Sequence, residues 1–205
     1  MNVIRTSFRI LLPCFLAISF VAAQAESART ETTSGPGLPN FGQVTENLFR
    51  GAQPSADGFA RLRNMGVGLI INFRQEPAET ALEKREVEAL GMHYIGMPWS
   101  AHDDPSNTQV AEFLEVVRAH PDTKIFVHCL HGADRTGVMV AAYRIAIEHE
   151  KVPDAISEMH RFHFDSFWHP QLARYVKALP SLLQSERVFK NLAVAPALPP
   201  CKGHE

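Results

Sequence analysis

The chain has 205 residues, with 20 Lys or Arg against 22 Asp or Glu, a formal net charge of −2, and 45% hydrophobic residues. That length and apolar share suit one folded domain with a sizeable core. The near balance of charge argues against bulk nucleic-acid binding, and three cysteines are too few for a disulfide framework.

In chain order, Arg5 and Arg9 precede an apolar run from Ile10 to Ala23, which closes on Ala23-Gln24-Ala25. This is the pattern of a secretory signal with a small-residue cleavage site. The run holds about 14 residues, short of the ~20 a spanning helix needs. Residues 1–25 are therefore read as a signal peptide for export to the periplasm or beyond, leaving no stable membrane span after cleavage. Retention as an anchor is the other reading. Cleavage would leave 18 basic and 22 acidic residues. Residues 26–40, rich in Ser, Thr, Gly and Pro, read as a flexible linker, 41–185 as the catalytic domain, and 186–205 as a tail. Cys201 on that tail is read as a loose thiol, with reversible pairing to Cys129 as the alternative.

The domain alternates strand and helix patterns, which predicts an α/β fold with a central, mostly parallel sheet flanked by helices. A short hairpin is expected through Phe41 to Arg50. Ser55 then caps a helix to about Met65, with Phe59, Leu62 and Met65 on one face. Val67 to Phe73 reads as a buried strand, Ala78 to Leu90 as a charged surface helix ended by Gly91, and Met92 to Met97 as a further strand. The loop PWSAHDDPSN leads into a helix from about Thr108 to Ala119, and Lys124 to His128 forms the next strand. Thr136 to Glu148, rich in Ala, Val and Ile, reads as a central buried helix. Helices over Pro153 to Phe162 and Gln171 to Gln184 complete the set.

The chemistry concentrates in VHCLHGADRTG, residues 127 to 137. A cysteine lies six residues before an arginine, in a glycine-containing loop between a strand and a helix. Such a loop can turn the backbone N–H groups of Leu130, His131, Gly132, Ala133, Asp134 and Arg135 toward one centre and hold phosphate oxygens without a metal. Cys129 sits under that centre, where the amides, the helix dipole and the Arg135 guanidinium favour thiolate over thiol. Gly132 is read as a close approach of backbone to ligand, and Gly137 as a site of tight helix packing. A buried inert Cys129 with a surface Arg135 would leave the surrounding His, Gly and Thr unexplained.

At His128, Cys129, Arg135 and Thr136 the sequence resembles the cysteine-based protein tyrosine phosphatase superfamily, whose signature is H-C-x5-R-[ST], and within it the compact dual-specificity branch. The likeness extends more loosely from Phe41 to Leu183, through NLFRGAQPS and GVGLIINFR. It implies the protein tyrosine phosphatase-like α/β fold, no cofactor, and hydrolysis of phosphomonoesters through a phosphocysteine on Cys129. In that scheme Arg135 and the loop amides hold phosphate, Thr136 hydrogen-bonds the sulfur, and His128 fixes the loop from the strand side.

Such a reaction also needs a proton for the leaving oxygen. Asp103 and Asp104 are the candidates, in a loop where the family carries its acid, although Pro105 follows sooner than the family pattern has it. Asp103 is slightly favoured. Adjacent carboxylates disfavour each other's ionisation, which suits a general acid, while a capped solvated turn is the plainer reading. Asp134 competes for the role, or tunes the loop by pairing with Arg135 or repelling dianions. His131 would attract further phosphates when protonated. The expected substrate is a phosphorylated protein, with a phosphoinositide or inositol phosphate as the alternative. Lys is absent at Ala133, where lipid-active relatives often carry it. A phosphate-binding pseudophosphatase and a rhodanese-like sulfurtransferase are the remaining alternatives, and a monomer is expected. Arg50 and Arg74 read as structural or rim arginines, His160, His163 and His169 as surface histidines rather than metal ligands, and Trp99 and Trp168 as core or pocket-wall aromatics.

Overall fold

The computed structural model describes residues 35–190. The signal segment, residues 26–34 of the linker, and residues 191–205 with Cys201 lie outside them. Five strands form one sheet in the order β1-β2-β5-β3-β4. The strands are β1 (Gly42–Gln43), β2 (Leu48–Gly51), β3 (Val67–Asn72), β4 (His93–Gly96) and β5 (Lys124–His128). Only the β1–β2 pair is antiparallel; β2, β5, β3 and β4 run parallel. The sheet is thus mostly parallel, and the apolar runs LIIN and KIFVH are its central strands, buried on both faces as parallel strands are.

Side chains that alternate along these strands feed two separate cores. Phe49, Ile70 and Phe126 point to the face covered by α1 (Ala56–Asn64) and α2 (Pro77–Ala89). Leu48, Leu69, Ile71, Ile125 and Val127 point to the other. There they meet α3 (Asn107–Ala119), α4 (Asp134–Ala146), α5 (Val152–Arg161) and α6 (Pro170–Ser185). Ser55 accepts a hydrogen bond from the Gly58 N–H, capping α1, and Ser106 with Gln109 forms a full capping box at α3. The α4 helix is buried around nearly its whole girth, which is why its sequence shows no polar face.

Several details differ from the sequence reading. The α2 helix is not simply a charged surface helix, because Glu83 is buried together with Val87. The stretch assigned to the linker contributes Leu38 to the core, 3% exposed. The stretch assigned to the tail forms α7 (Arg187–Lys190), whose Phe189 joins the main core. No helix among the described residues is long and apolar enough to cross a membrane.

Candidate active site

Because β5 lies between two parallel neighbours, the chain leaving it at Cys129 is flanked by the carboxyl ends of β2 and β3. That is where open α/β sheets bind ligands. Cys129 is 2% exposed, and its Sγ accepts the Gly132 N–H at 3.3 Å. Among the described residues, the amides of Leu130, His131, Ala133, Asp134 and Arg135 donate to no protein group, and α4 has no side-chain cap. A row of unpaired amides at the start of a 13-residue helix, beside a buried sulfur, forms an anion cradle.

Gly132 has φ of +68°, and a Cβ there would lie 2.4 Å from the backbone carbon and oxygen of Gly51. The loop crosses against β2 where no side chain fits, a reason for this glycine that the sequence reading did not give. The expected tight packing at Gly137 is corrected. A Cβ there would meet Met159 at 3.5 Å, an ordinary contact.

The underside of the loop is held at several points. Arg50 is fully buried, donates through Nη2 to the Gly132 carbonyl at 2.9 Å, and lies 3.8 Å over the Phe162 ring. Its Nη1 faces Glu158 at 3.5 Å, and Glu158 in turn accepts from Arg144 Nε at 2.8 Å. Burial pulls the Arg50 guanidinium down to about 10, against the opposing charges of Glu158 and Cys129. Arg50 is thus structural rather than a rim residue. Arg74 is likewise tied down, donating to Gln53 Oε1 at 2.7 Å and to Glu76 at 3.0 Å. Asn40 donates through Nδ2 to the carbonyls of both His131 and Phe162, strapping the loop to the end of α5.

His128, wholly buried, has Nδ1 3.3 Å from the Cys129 carbonyl and Nε2 2.9 Å from Glu83. Arg135 is 9% exposed, and its Nη1 donates to the carbonyls of Phe73 and Trp99 at 3.1 and 3.2 Å. Those two bonds fix the plane of the guanidinium and leave Nε and Nη2 without a partner among the described residues, a fork suited to two phosphate oxygens. The Thr136 hydroxyl is buried with no hydrogen-bond partner among the described residues. It does not bond the sulfur in this state, where Gly132 does.

The loop that carries Asp103 and Asp104 begins at Trp99, 6% exposed, whose carbonyl is one of the two holding Arg135. Asp103 and Asp104 are exposed, and neither carboxylate has a hydrogen bond or ion pair among the described residues. Burial, and then the Asp104 charge, raises Tyr175 on α6, so Asp104 lies toward that helix. Gln171 of α6 donates to the Ala101 carbonyl, and Tyr175 to Asn107, pinning both ends of the loop. Asp134 does not pair with Arg135 as the sequence allowed. Its Oδ2 faces His169 Nε2 at 3.9 Å, and His169 lies 5.9 Å from the His102 ring.

Together His131, Asp134, His163, Trp168 and His169 line a surface pocket beside the loop. Trp168 there is 73% exposed and Phe167 80%, so Trp168 is a pocket-wall residue and no part of the core. His160 turns away to the Phe164 carbonyl, and no group of three metal-ligating side chains is poised for an ion among the described residues. The sequence reading missed Glu83, Gln53 and Asn72. A signal was present for Glu83, which shares a helix stripe with Val87 and Leu90.

Residues 28–174 match a family described as "DSP-PTPase phosphatase fused to NAD+ Kinase". The chain is 26% identical over 162 residues to the dual specificity protein phosphatase TpbA of Pseudomonas aeruginosa, covering 74% of this chain and 70% of that protein. It is 28% identical over 123 residues to dual specificity protein phosphatase 26 of Homo sapiens, covering 57% and 56%. Among solved structures, a Cys-to-Ser variant of P. aeruginosa TpbA in complex with pTyr superposes with a TM-score of 0.66 at 21% identity, covering 81% of this chain and 99% of that chain. The core catalytic domain of the S. cerevisiae PP-IP phosphatase SIW14, in complex with citrate, gives 0.60 at 18% identity, covering 76% and 97%. Both structural likenesses concern the fold.

Proposed function

The chain belongs to the DSP-PTPase phosphatase family of compact cysteine-based phosphatases and is a phosphoric monoester hydrolase, and we propose that it dephosphorylates proteins through a phosphocysteine formed on Cys129. The observation that carries this reading is the cradle itself: a buried sulfur beneath five unpaired amides, beside an arginine whose guanidinium is fixed by two carbonyls.

The steps follow from that geometry. The Cys129 thiolate attacks phosphorus, forming the S–P bond as the bond to the leaving oxygen breaks. Arg135 and the loop amides hold the three equatorial oxygens, whose charge is spread in the transition state. Asp103 gives its proton to the leaving oxygen, and Asp104, on the Tyr175 side of the loop, is the alternative donor. A water then attacks phosphorus, its proton passes to the ionised aspartate, and sulfur departs as thiolate. The Gly132 N–H at 3.3 Å stabilises that thiolate, and the unpaired Thr136 hydroxyl is the second donor available to it.

A protein substrate is supported by the dual-specificity names of the relatives, by the absence of lysine from the loop, and by the exposed aromatics beside the pocket. Export through residues 1–25 belongs to the same reading, and N-terminal sequencing of the secreted protein tests it, with Glu26 expected as the first residue. The activity is tested by phosphate release from phosphotyrosine and phosphoserine peptides, phosphoinositides and inositol phosphates, with Cys129→Ser alongside. Release from peptides that falls by roughly 10⁵-fold in the variant supports the reading. Turnover that survives Cys129→Ser removes the phosphocysteine, and a preference for inositol phosphates removes the protein substrate.

A further inference from the structure

The segments NLFRGAQPS and GVGLIINFR lie far from the catalytic loop in sequence, yet their polar residues converge beneath it on one side chain. Gln53 Nε2 donates to Glu83 Oε2 at 2.8 Å, and Asn72 Nδ2 donates to the same oxygen at 3.0 Å. His128 Nε2 lies 2.9 Å from Glu83 Oε1. Every partner of Glu83 in this set is a donor or can be one, a set of neighbours that suits a carboxylate. Burial, and then the charge of Glu83, pushes the neighbouring Tyr94 phenol up to about 12.

The other ring nitrogen of His128 faces the Cys129 carbonyl at 3.3 Å. Both nitrogens therefore point at oxygens, Nδ1 at the Cys129 carbonyl and Nε2 at the Glu83 carboxyl, and a ring with a proton on each satisfies both. The ring is sealed from water, with Phe126 stacked at 5.7 Å and Phe59 edge-on at 6.4 Å. In such surroundings an unpaired imidazolium is costly, whereas one paired with a fixed carboxylate is held.

We propose that Glu83 is a positioning residue for the reaction: its carboxylate keeps His128 doubly protonated and aimed at the Cys129 carbonyl, so that the thiolate stays formed and aligned with the loop amides. The proposal rests on the reading of Cys129 as nucleophile. The nearer charge to Cys129 is the imidazolium, with the carboxylate on its far side, so the pair favours thiolate. Gln53 and Asn72 serve the same end by holding the carboxylate in place.

Glu83→Gln tests this, since it keeps the shape and removes the charge. Alkylation of Cys129 by iodoacetamide, followed by mass spectrometry of its peptide, is measured against pH in parent and variant without substrate. The half-maximal rate is expected to move up by about one pH unit, so that alkylation below neutral pH slows roughly tenfold. On a phosphopeptide, kcat is expected to fall by a similar factor with KM little changed. A variant that loses thermal stability while keeping the parent's alkylation profile and kcat overturns the proposal, because it assigns Glu83 to stability alone. If Glu83→Gln does not fold, Gln53→Met at a half-buried position loosens the same carboxylate. It should shift the profile in the same direction by less, and an unchanged profile overturns the proposal. The Cys129→Ser control separates the two readings. Turnover surviving in it refutes the phosphocysteine, whereas loss of turnover there with an unaltered Glu83→Gln refutes only the role of Glu83.

Discussion

Below Cys129, the side chains of Arg50, Asn72, Glu83 and His128 are buried, and each is bonded to another element of the fold. On the open side, Asp103 and Asp104 are exposed and without partners among the described residues, and a surface pocket edged by the exposed Trp168 flanks the loop. In the proposed reaction the contrast follows from what each side must do. Dipoles that stabilise developing charge work best when fixed in advance. A proton donor must instead let substrate in and product out, so it belongs on a segment that can yield. The two points that pin the loop of Asp103 and Asp104 to α6 and the one that ties Trp99 to Arg135 limit that yielding to its middle.

The largest effect expected from the open side is on the leaving group. Asp103→Ala should slow hydrolysis of an alkyl phosphate by roughly 10²- to 10⁴-fold and that of an aryl phosphate far less, since an aryl leaving group barely needs the proton. Steady-state rates on both substrates check this. Asp104→Ala should change the ratio little, and Asp134→Ala acting in its stead would place the acid inside the loop. The closed side should answer in stability instead. Glu158→Gln leaves the buried Arg50 and Arg144 facing each other without their shared counter-charge, and is expected to cost about 3 to 5 kcal/mol in denaturant unfolding. Gly132→Ala drives a methyl into the Gly51 backbone at a positive φ, for about 2 to 4 kcal/mol. Smallest is Gly137→Ala, which meets only ordinary contacts; removing a glycine from the interior of a helix should raise stability by up to about 1 kcal/mol. A destabilised Gly137→Ala would mean that the closed side has less slack than its distances show.

What was legible in the sequence is what is local. The loop from His128 to Gly137 is contiguous, so its chemistry can be read without knowing the fold. The central strands announce themselves as short apolar runs because a parallel sheet buries both faces. The closed side was hidden because its pairs join distant segments: Glu83 to His128 across 45 positions, Arg50 to Gly132 across 82. Nothing near Arg50 in sequence names Glu158 as its partner. In α2 the many charged residues masked the one that turns inward, although its spacing from Val87 marks it. The crossing at Gly132 was hidden in the same way, since the strand it meets lies far upstream.

The Asn40 strap gives the domain a mechanical connection. The polypeptide that leads into the sheet is held by its Pro36, Gly37 and Pro39 carbonyls and then by one amide, Asn40, to the carbonyls of His131 and Phe162, so a pull that passes those first bonds reaches the catalytic loop before it reaches β1. A chain trimmed to begin at Phe41 would keep every strand and helix named above yet lose both bonds. The rigidity of the loop is thereby shared with whatever holds or releases the segment ahead of it.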